Sequence, residues 1–173
     1  MLKKISVVGN SCAGKTTLCR SLAQIHSLPL THVDSIQFVA GMKIRPHSES
    51  IQILNAIQDQ DTWIIDGYGP LDIIEKRFEL ADRIVFIDFP LWRHYAWAVK
   101  RQFSNLWSQR KELPEDCNEL SYVHITKLFK TIFRVHQKMR PQILKMFQSE
   151  KLKHKVIWVK DLKTWNQLAN QGL

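Results

Sequence analysis

The sequence predicts an α/β protein, doubly wound around a parallel sheet of five strands, and three observations carry that expectation. Short apolar runs recur through the first half of the chain and once more near its end, helical apolar patterns separate them, and the first run opens into a glycine-rich loop, Gly9-Asn10-Ser11-Cys12-Ala13-Gly14-Lys15-Thr16. Unbroken apolar runs suit strands covered on both faces, and their alternation with helices implies right-handed crossovers between parallel neighbours. With 173 residues, 45% apolar and 24% charged, the chain has the size and makeup of one domain, taken as 1–173.

The first strand is expected at Lys4 to Val8, ending at Gly9, and a helix follows with Leu18, Leu22 and Ile25 on one face. The second strand, Pro29 to Val33, ends at Asp34, and Ile51, Leu54 and Ile57 mark the next helix. Trp63 to Ile65 ends at Asp66 and precedes a helix with Leu71, Ile74 and Phe78. Arg83 to Ile87 ends at Asp88, and Lys155 to Val159 closes the series. The span between the last two strands is too long for one crossover helix. It is expected to form a helical lid insertion at roughly 91–150, with one helix marked by Leu91, Tyr95, Val99, Phe103 and Leu106 and another by Ile125, Leu128, Ile132, Val135 and Met139. SQRKELPEDCNE between them has the charge and proline of an exposed loop, and Pro141 is expected to end or kink the second helix and start a shorter one. Neither a repeat nor a low-complexity tract interrupts the pattern.

Charge is uneven. The net +9 lies in the second half: residues 1–92 hold 9 Lys/Arg against 10 Asp/Glu, residues 93–173 hold 16 against 6, and the blocks 93–111 and 127–145 contain no acid. Such asymmetry suits an anionic partner, either nucleic acid or the polyphosphate of a nucleotide, and equally a solvated basic helix face. Three cysteines, Cys12, Cys19 and Cys117, make neither a disulfide framework nor a CxxC pair, so a reducing, cytoplasmic setting is expected. The first strand is too short for a signal-peptide core, and no apolar run reaches the length of a membrane span. A monomer without membrane contact is expected.

The glycine-rich loop completes the pattern GxxxxGK[ST] between strand and helix, where its chemistry requires it. Glycines let successive N–H groups converge on an anion at the positive end of a helix, so Gly9, Ser11, Cys12, Ala13, Gly14, Lys15, Thr16 and Thr17 are expected to bind ATP phosphates. Lys15 would reach the β- and γ-phosphates, and the Thr16 hydroxyl would ligate Mg²⁺. Cys12 is expected to serve packing within the loop and Cys19 to be a small core residue. The GxG spacing of dinucleotide-binding folds is absent.

GNSCAGKTT, LTHVDSIQF, WIIDGYGPLD, ADRIVFIDFP and MRPQIL, in this order, resemble the adenylate-kinase-like P-loop kinases, most closely the group known as DNA topology modulation proteins. The resemblance covers nearly the whole chain. It implies a nucleoside/nucleotide-kinase-type P-loop NTPase fold and ATP binding, with Asp66 holding Mg²⁺ through water. Asp34 matches an acceptor-binding aspartate of the related shikimate-kinase pattern and a carboxylate near Mg²⁺ in adenylate kinase, two roles that stay open, while His32 stands where the shikimate-kinase pattern has another aspartate. The resemblance also implies that lid arginines close over the γ-phosphate, and Arg101 and Arg140 are the choices here. Phe38 and Tyr68, beside the two strand-end aspartates, and Arg45 and Arg77 are expected to line the acceptor pocket, whereas Asp88 reads as a turn residue outside the site.

Three functions fit. The leading one is Mg²⁺/ATP-dependent transfer of the γ-phosphoryl group to a small acceptor, as a hydroxyl acceptor or as a nucleoside monophosphate. The others are a nucleotide-dependent nucleic-acid-binding protein, not favoured, and an ATPase switch without acceptor.

Overall fold

The computed structural model describes residues 2–39, 43–105 and 122–173. In chain order these form β1 (Lys4–Gly9), α1 (Lys15–His26), β2 (Leu30–His32), α2 (Val33–Gln37), β3 (Phe38–Val39), β4 (Lys43–Ile44), α3 (His47–Gln58), β5 (Trp63–Asp66), α4 (Ile74–Leu80), β6 (Arg83–Ile87), α5 (Leu91–Asn105), α6 (Tyr122–Arg134), α7 (Arg140–Phe147), β7 (Val156–Val159) and α8 (Leu162–Gln171). A 3₁₀ turn, Leu71–Ile73, leads into α4, and a π-helical turn, Val135–Met139, joins α6 to α7.

Five strands form one parallel sheet in the order β2-β5-β1-β6-β7, and the expected doubly wound α/β fold of the nucleotide-kinase type is observed. The central strands β1, β5 and β6 are buried on both faces, and alternate side chains enter opposite cores. Ile5, Val7, Ile64, Val85 and Ile87 pack with Leu18 and Leu22 of α1 and Leu168 of α8. Val8, Trp63, Ile65, Ile84 and Phe86 pack on the other face with Leu54, Phe78, Ile143 and Phe147 from α3, α4 and α7. The chain runs from β1 out to β2 and back to β5 on one side, then crosses to β6 and β7 on the other, so the carboxyl end of β1 opens at the switch point of the sheet. The nucleotide motif follows it directly.

Three local features depart from the expected elements. The second strand stops at His32, and Val33–Gln37 turns into a one-turn helix whose buried residues, Val33 and Ile36, are three apart. Asp34 therefore lies in the first turn of a helix rather than at a strand end, where its charge meets the helix dipole. A two-residue antiparallel pairing, Phe38 with Ile44 and Val39 with Lys43, follows it. Third, the break at Pro141 takes the form of the π-helical turn: Arg140 donates its N–H to Val135 O, five residues back. Pro141 has no N–H to continue the ladder, and the Gln142 side chain serves the carbonyl of Lys138 at 3.0 Å. Within the expected lid span, α7 belongs to the sheet's own layer, since Ile143 and Phe147 are buried against Phe78 and Phe86. α5 and α6 pack together through Tyr95 and Phe129, whose rings meet edge to face at 5.3 Å. The whole segment expected to be a loop, residues 108–119, and Cys117 with it, lies outside the described residues.

Candidate active site

The loop after β1 begins at a residue that must be glycine. A Cβ on Gly9 would lie 2.7 Å from the carbonyl oxygen of Ile87 on the neighbouring strand. It ends at another, Gly14, whose φ of 77° caps α1 in the left-handed region and whose Cβ would meet the Trp165 indole of α8 at 3.3 Å. Cys12 takes a left-handed conformation too, with φ 57°. Asn10 is buried and braces the loop in two directions: its Oδ1 accepts from Ser11 N at 2.8 Å, and its Nδ2 donates to Ile132 O of α6 at 2.9 Å. Lys15 curls back so that Nζ donates to Asn10 O at 2.9 Å. His94, buried on α5, places Nδ1 3.0 Å from Ser11 O and Nε2 3.3 Å from Phe89 O. Burial pulls its pKa below the ordinary value, and Lys15 and His136 add repulsion.

Across the switch point, β5 delivers Asp66 to the start of α1. Its Oδ2 accepts from Thr16 Oγ1 at 2.8 Å and lies 2.9 Å from His32 Nδ1, while Oδ1 is buried with no hydrogen-bond partner among the described residues. Burial opposes the charge, yet the His32 hydrogen bond, the Lys15 charge and the Thr16 hydroxyl together hold the carboxyl below its ordinary range. An ionised carboxylate with a vacant buried oxygen beside a threonine hydroxyl fits Mg²⁺, which takes few protein oxygens and fills its shell with water and substrate phosphates. No group of three or more His, Cys, Asp or Glu gathers as a self-sufficient metal cage among the described residues.

The remaining expected residues fall at different depths. Asp34 is exposed on α2, and Phe38 is half-buried in the short hairpin. Arg45 donates through Nε to Ile36 O at 2.8 Å and pairs with Glu49, so its guanidinium is occupied within the α2–α3 corner. Arg77 is fully buried: Nη1 donates to Gly67 O at 2.7 Å, and Nε and Nη2 find no partner among the described residues. Burial pulls its pKa down to about 10. It braces the loop after Asp66, and in this conformation the Arg45 fork is occupied while the unpartnered edge of Arg77 is sealed within the core. Tyr68 lines a small recess with Asn10, Asp88, His94, His136 and Arg140, and burial with the nearby Asp88 carboxylate pushes its hydroxyl pKa up. Arg101 is half-buried on α5. Arg140 makes a bidentate pair with Asp88, Nε to Oδ1 at 2.7 Å and Nη2 to Oδ2 at 2.8 Å. Arg93, from the same basic block as Arg101, stacks over Phe89, Trp92 and Trp97 at 5.2 to 5.7 Å.

Sequence reasoning passed over Asn10, Asp88 and His94. Asn10 occupies a variable position of the loop motif, and Asp88 sits in an Asp-Phe-Pro string with an ordinary turn signature. Their partners lie 122 and 52 residues away, so no local pattern could have announced them.

No family model matches the chain, and no curated protein matches it in sequence. Solved structures do match in shape. A shikimate kinase from Bacteroides thetaiotaomicron has a TM-score of 0.54 at 14% identity, over 99% of this chain and 96% of that chain. A sugar kinase from Janibacter sp. HTCC2649 has a TM-score of 0.53 at 12% identity, over 100% of this chain and 93% of that chain. At such identities the likeness is one of fold, and with the strand order and the loop after β1 it makes this an α/β chain of the P-loop nucleotide-kinase fold.

Proposed function

We propose that the protein is an Mg²⁺/ATP-dependent phosphotransferase that moves the γ-phosphoryl group of ATP to a hydroxyl of a small acceptor. The observation that carries this is the Thr16–Asp66 junction, where a buried carboxylate with one unpartnered oxygen stands at the mouth of a complete phosphate-binding loop. The backbone of residues 11–17 cradles the phosphates, and Lys15 exchanges its bond to Asn10 O for phosphate oxygens. Thr16 and, through water, Asp66 hold Mg²⁺, which when bound neutralises charge between the β- and γ-phosphates. Asp34 orients the acceptor hydroxyl, Phe38 and Tyr68 bound its pocket, and Arg101 and Arg140 stabilise the group in transfer. Catalysis of this kind asks the protein for position and electrostatics rather than covalent chemistry. The closer kinship, with adenylate-kinase-like enzymes and DNA topology modulation proteins, is part of the same proposal and rests on the motifs quoted above.

The acceptor class follows from where cations are missing. The adenylate-kinase pattern has an arginine after each of two aspartates to clamp the acceptor phosphate, and here Gln37 and Pro70 hold those positions. Arg45 and Arg77, the nearest substitutes, are held by Ile36 O with Glu49 and by Gly67 O. Each missing charge-assisted contact costs about one to two decades of affinity. AMP is therefore expected to be a poor acceptor. A coupled assay comparing AMP, other monophosphates and a panel of hydroxylated metabolites decides it: efficient, saturable AMP phosphorylation overturns the hydroxyl assignment, and ATP-dependent turnover of a hydroxyl compound supports it.

A second function, nucleotide-dependent nucleic-acid binding, draws on the exposed Lys127, Lys130, Arg134 and Lys138, in a stretch from 122 to 149 without an acidic residue. Tight DNA binding with a steep salt dependence favours it, and weak binding with a shallow slope counts against it.

A further inference from the structure

We infer that Asp88 is a positioning residue for phosphoryl transfer: it grips the guanidinium of Arg140 by one edge so that the opposite edge meets the group in transfer. This rests on the phosphotransfer function proposed above.

Asp88 follows β6 directly, and its backbone is fixed by its N–H to Val159 O at 2.9 Å. β6 neighbours β1 with Gly9 opposite Ile87, so Asp88 stands beside Asn10, where the phosphate loop begins. Arg140 reaches it from the end of the π-helical turn, whose widened hydrogen bond to Val135 O sets where the side chain departs. Among the described residues, contact is made through Nε and Nη2. A guanidinium has five N–H groups, and this grip consumes two, leaving the Nη1/Nη2 edge as a second fork of the kind that binds phosphate bidentately. The pair lines one recess with Asn10, Tyr68, His94 and His136, and the Arg140 side chain keeps 33% exposure against 11% for Asp88.

A purely structural tie is a poor account of the pair. α7 is already anchored by Ile143 and Phe147 in the core, and a partly exposed ion pair adds little to stability. The carboxylate also keeps the fork in one orientation before nucleotide arrives, and such preorganisation raises transition-state stabilisation rather than substrate affinity.

Steady-state MgATP hydrolysis, with water as the acceptor, tests this in wild type, Asp88→Asn, Arg140→Lys and the double variant, with melting temperatures measured alongside. Each single change is expected to lower kcat about ten- to a hundredfold, the loss of one charge-assisted hydrogen bond, with KM for ATP nearly unchanged. The double variant is expected to be no slower than the worse single one. Additive losses, or a lowered melting temperature with kcat intact, overturn the inference while leaving the phosphotransfer function standing. A wild type that neither binds nor turns over MgATP removes both. Should Asp88→Asn fail to fold, Arg140→Ala assayed with millimolar guanidinium serves instead: saturable recovery of kcat supports a seat at Asp88, and no recovery overturns it.

Discussion

His94 faces two carbonyl oxygens, Ser11 O and Phe89 O, and a neutral imidazole has one proton to offer them. Charging the ring would satisfy both, but burial, Lys15 and His136 oppose it, and the folded-state pKa falls below 6.5. As pH drops below 6.5, the unfolded chain takes up this proton before the folded one, so stability falls through the folded-state pKa. Melting temperatures from about pH 7 to about pH 5 are expected to decline more steeply in wild type than in His94→Gln, and parallel curves would remove His94 as the source. The consequence reaches the phosphate loop, because the same ring holds Ser11. Lys15 is a contrasting case. The residue is half-buried and, among the described residues, its ammonium bonds to its own loop, so Lys15→Ala is expected to leave the melting temperature of the nucleotide-free protein within a few degrees while abolishing phosphoryl transfer.

Among the elements, the central strands β1, β5 and β6 were legible because burial on both faces writes an apolar run. β2 and β7 were read from shorter, partly exposed stretches, and α1 and α3 were legible because each repeats an apolar face over successive turns. α2 was hidden: one turn offers only Val33 and Ile36 as a pattern, and that pair reads equally well as the end of a strand. The β3–β4 pairing is two residues long and carries no alternation at all. Pro141 announced a break, but its form, a π-helical turn that sets Arg140 at the strand ends, depends on what the helix packs against. For the candidate site, the phosphate loop was readable from its motif, and Asp66 entered through the family resemblance. Asp88 and His94 matter through partners that only the fold brings near. β1 supplies a test at this scale. Its entry is fixed by Asp82 Oδ2, which accepts from Lys3 N at 2.7 Å and Lys4 N at 2.9 Å. Those bonds also hold the carboxyl below its ordinary range despite some burial. Asp82→Ala is expected to destabilise the protein by about 1 kcal/mol, lowering Tm by a few degrees without changing nucleotide affinity. Unchanged denaturation would show the strand entry to be held by sheet pairing alone.

At the scale of the whole molecule, one sheet gathers residues from three strand ends, β1, β5 and β6, and from helices α1, α5 and α6 around a single opening. A ligand there touches most of the fold. MgATP at a hundredfold excess over its Kd is expected to stabilise the protein by about 2.7 kcal/mol, read as a rise in melting temperature that Lys15→Ala greatly reduces. A wild type whose Tm ignores MgATP would refute ATP binding. Among the described residues, no helix is long and apolar enough to cross a membrane.

The contact between Gly14 and Trp165 bears on how the protein is made. The phosphate loop leaves the ribosome well before the indole packed against its last glycine, which comes 151 residues later, on α8. Strand β6, whose Ile87 carbonyl lies against Gly9, also arrives long after β1. A nascent chain therefore carries the glycine-rich motif for some time before the residues packed against its two glycines have been made. The packing around the end of the loop awaits the docking of α8, and a chain interrupted before Trp165 would display the motif without that neighbour.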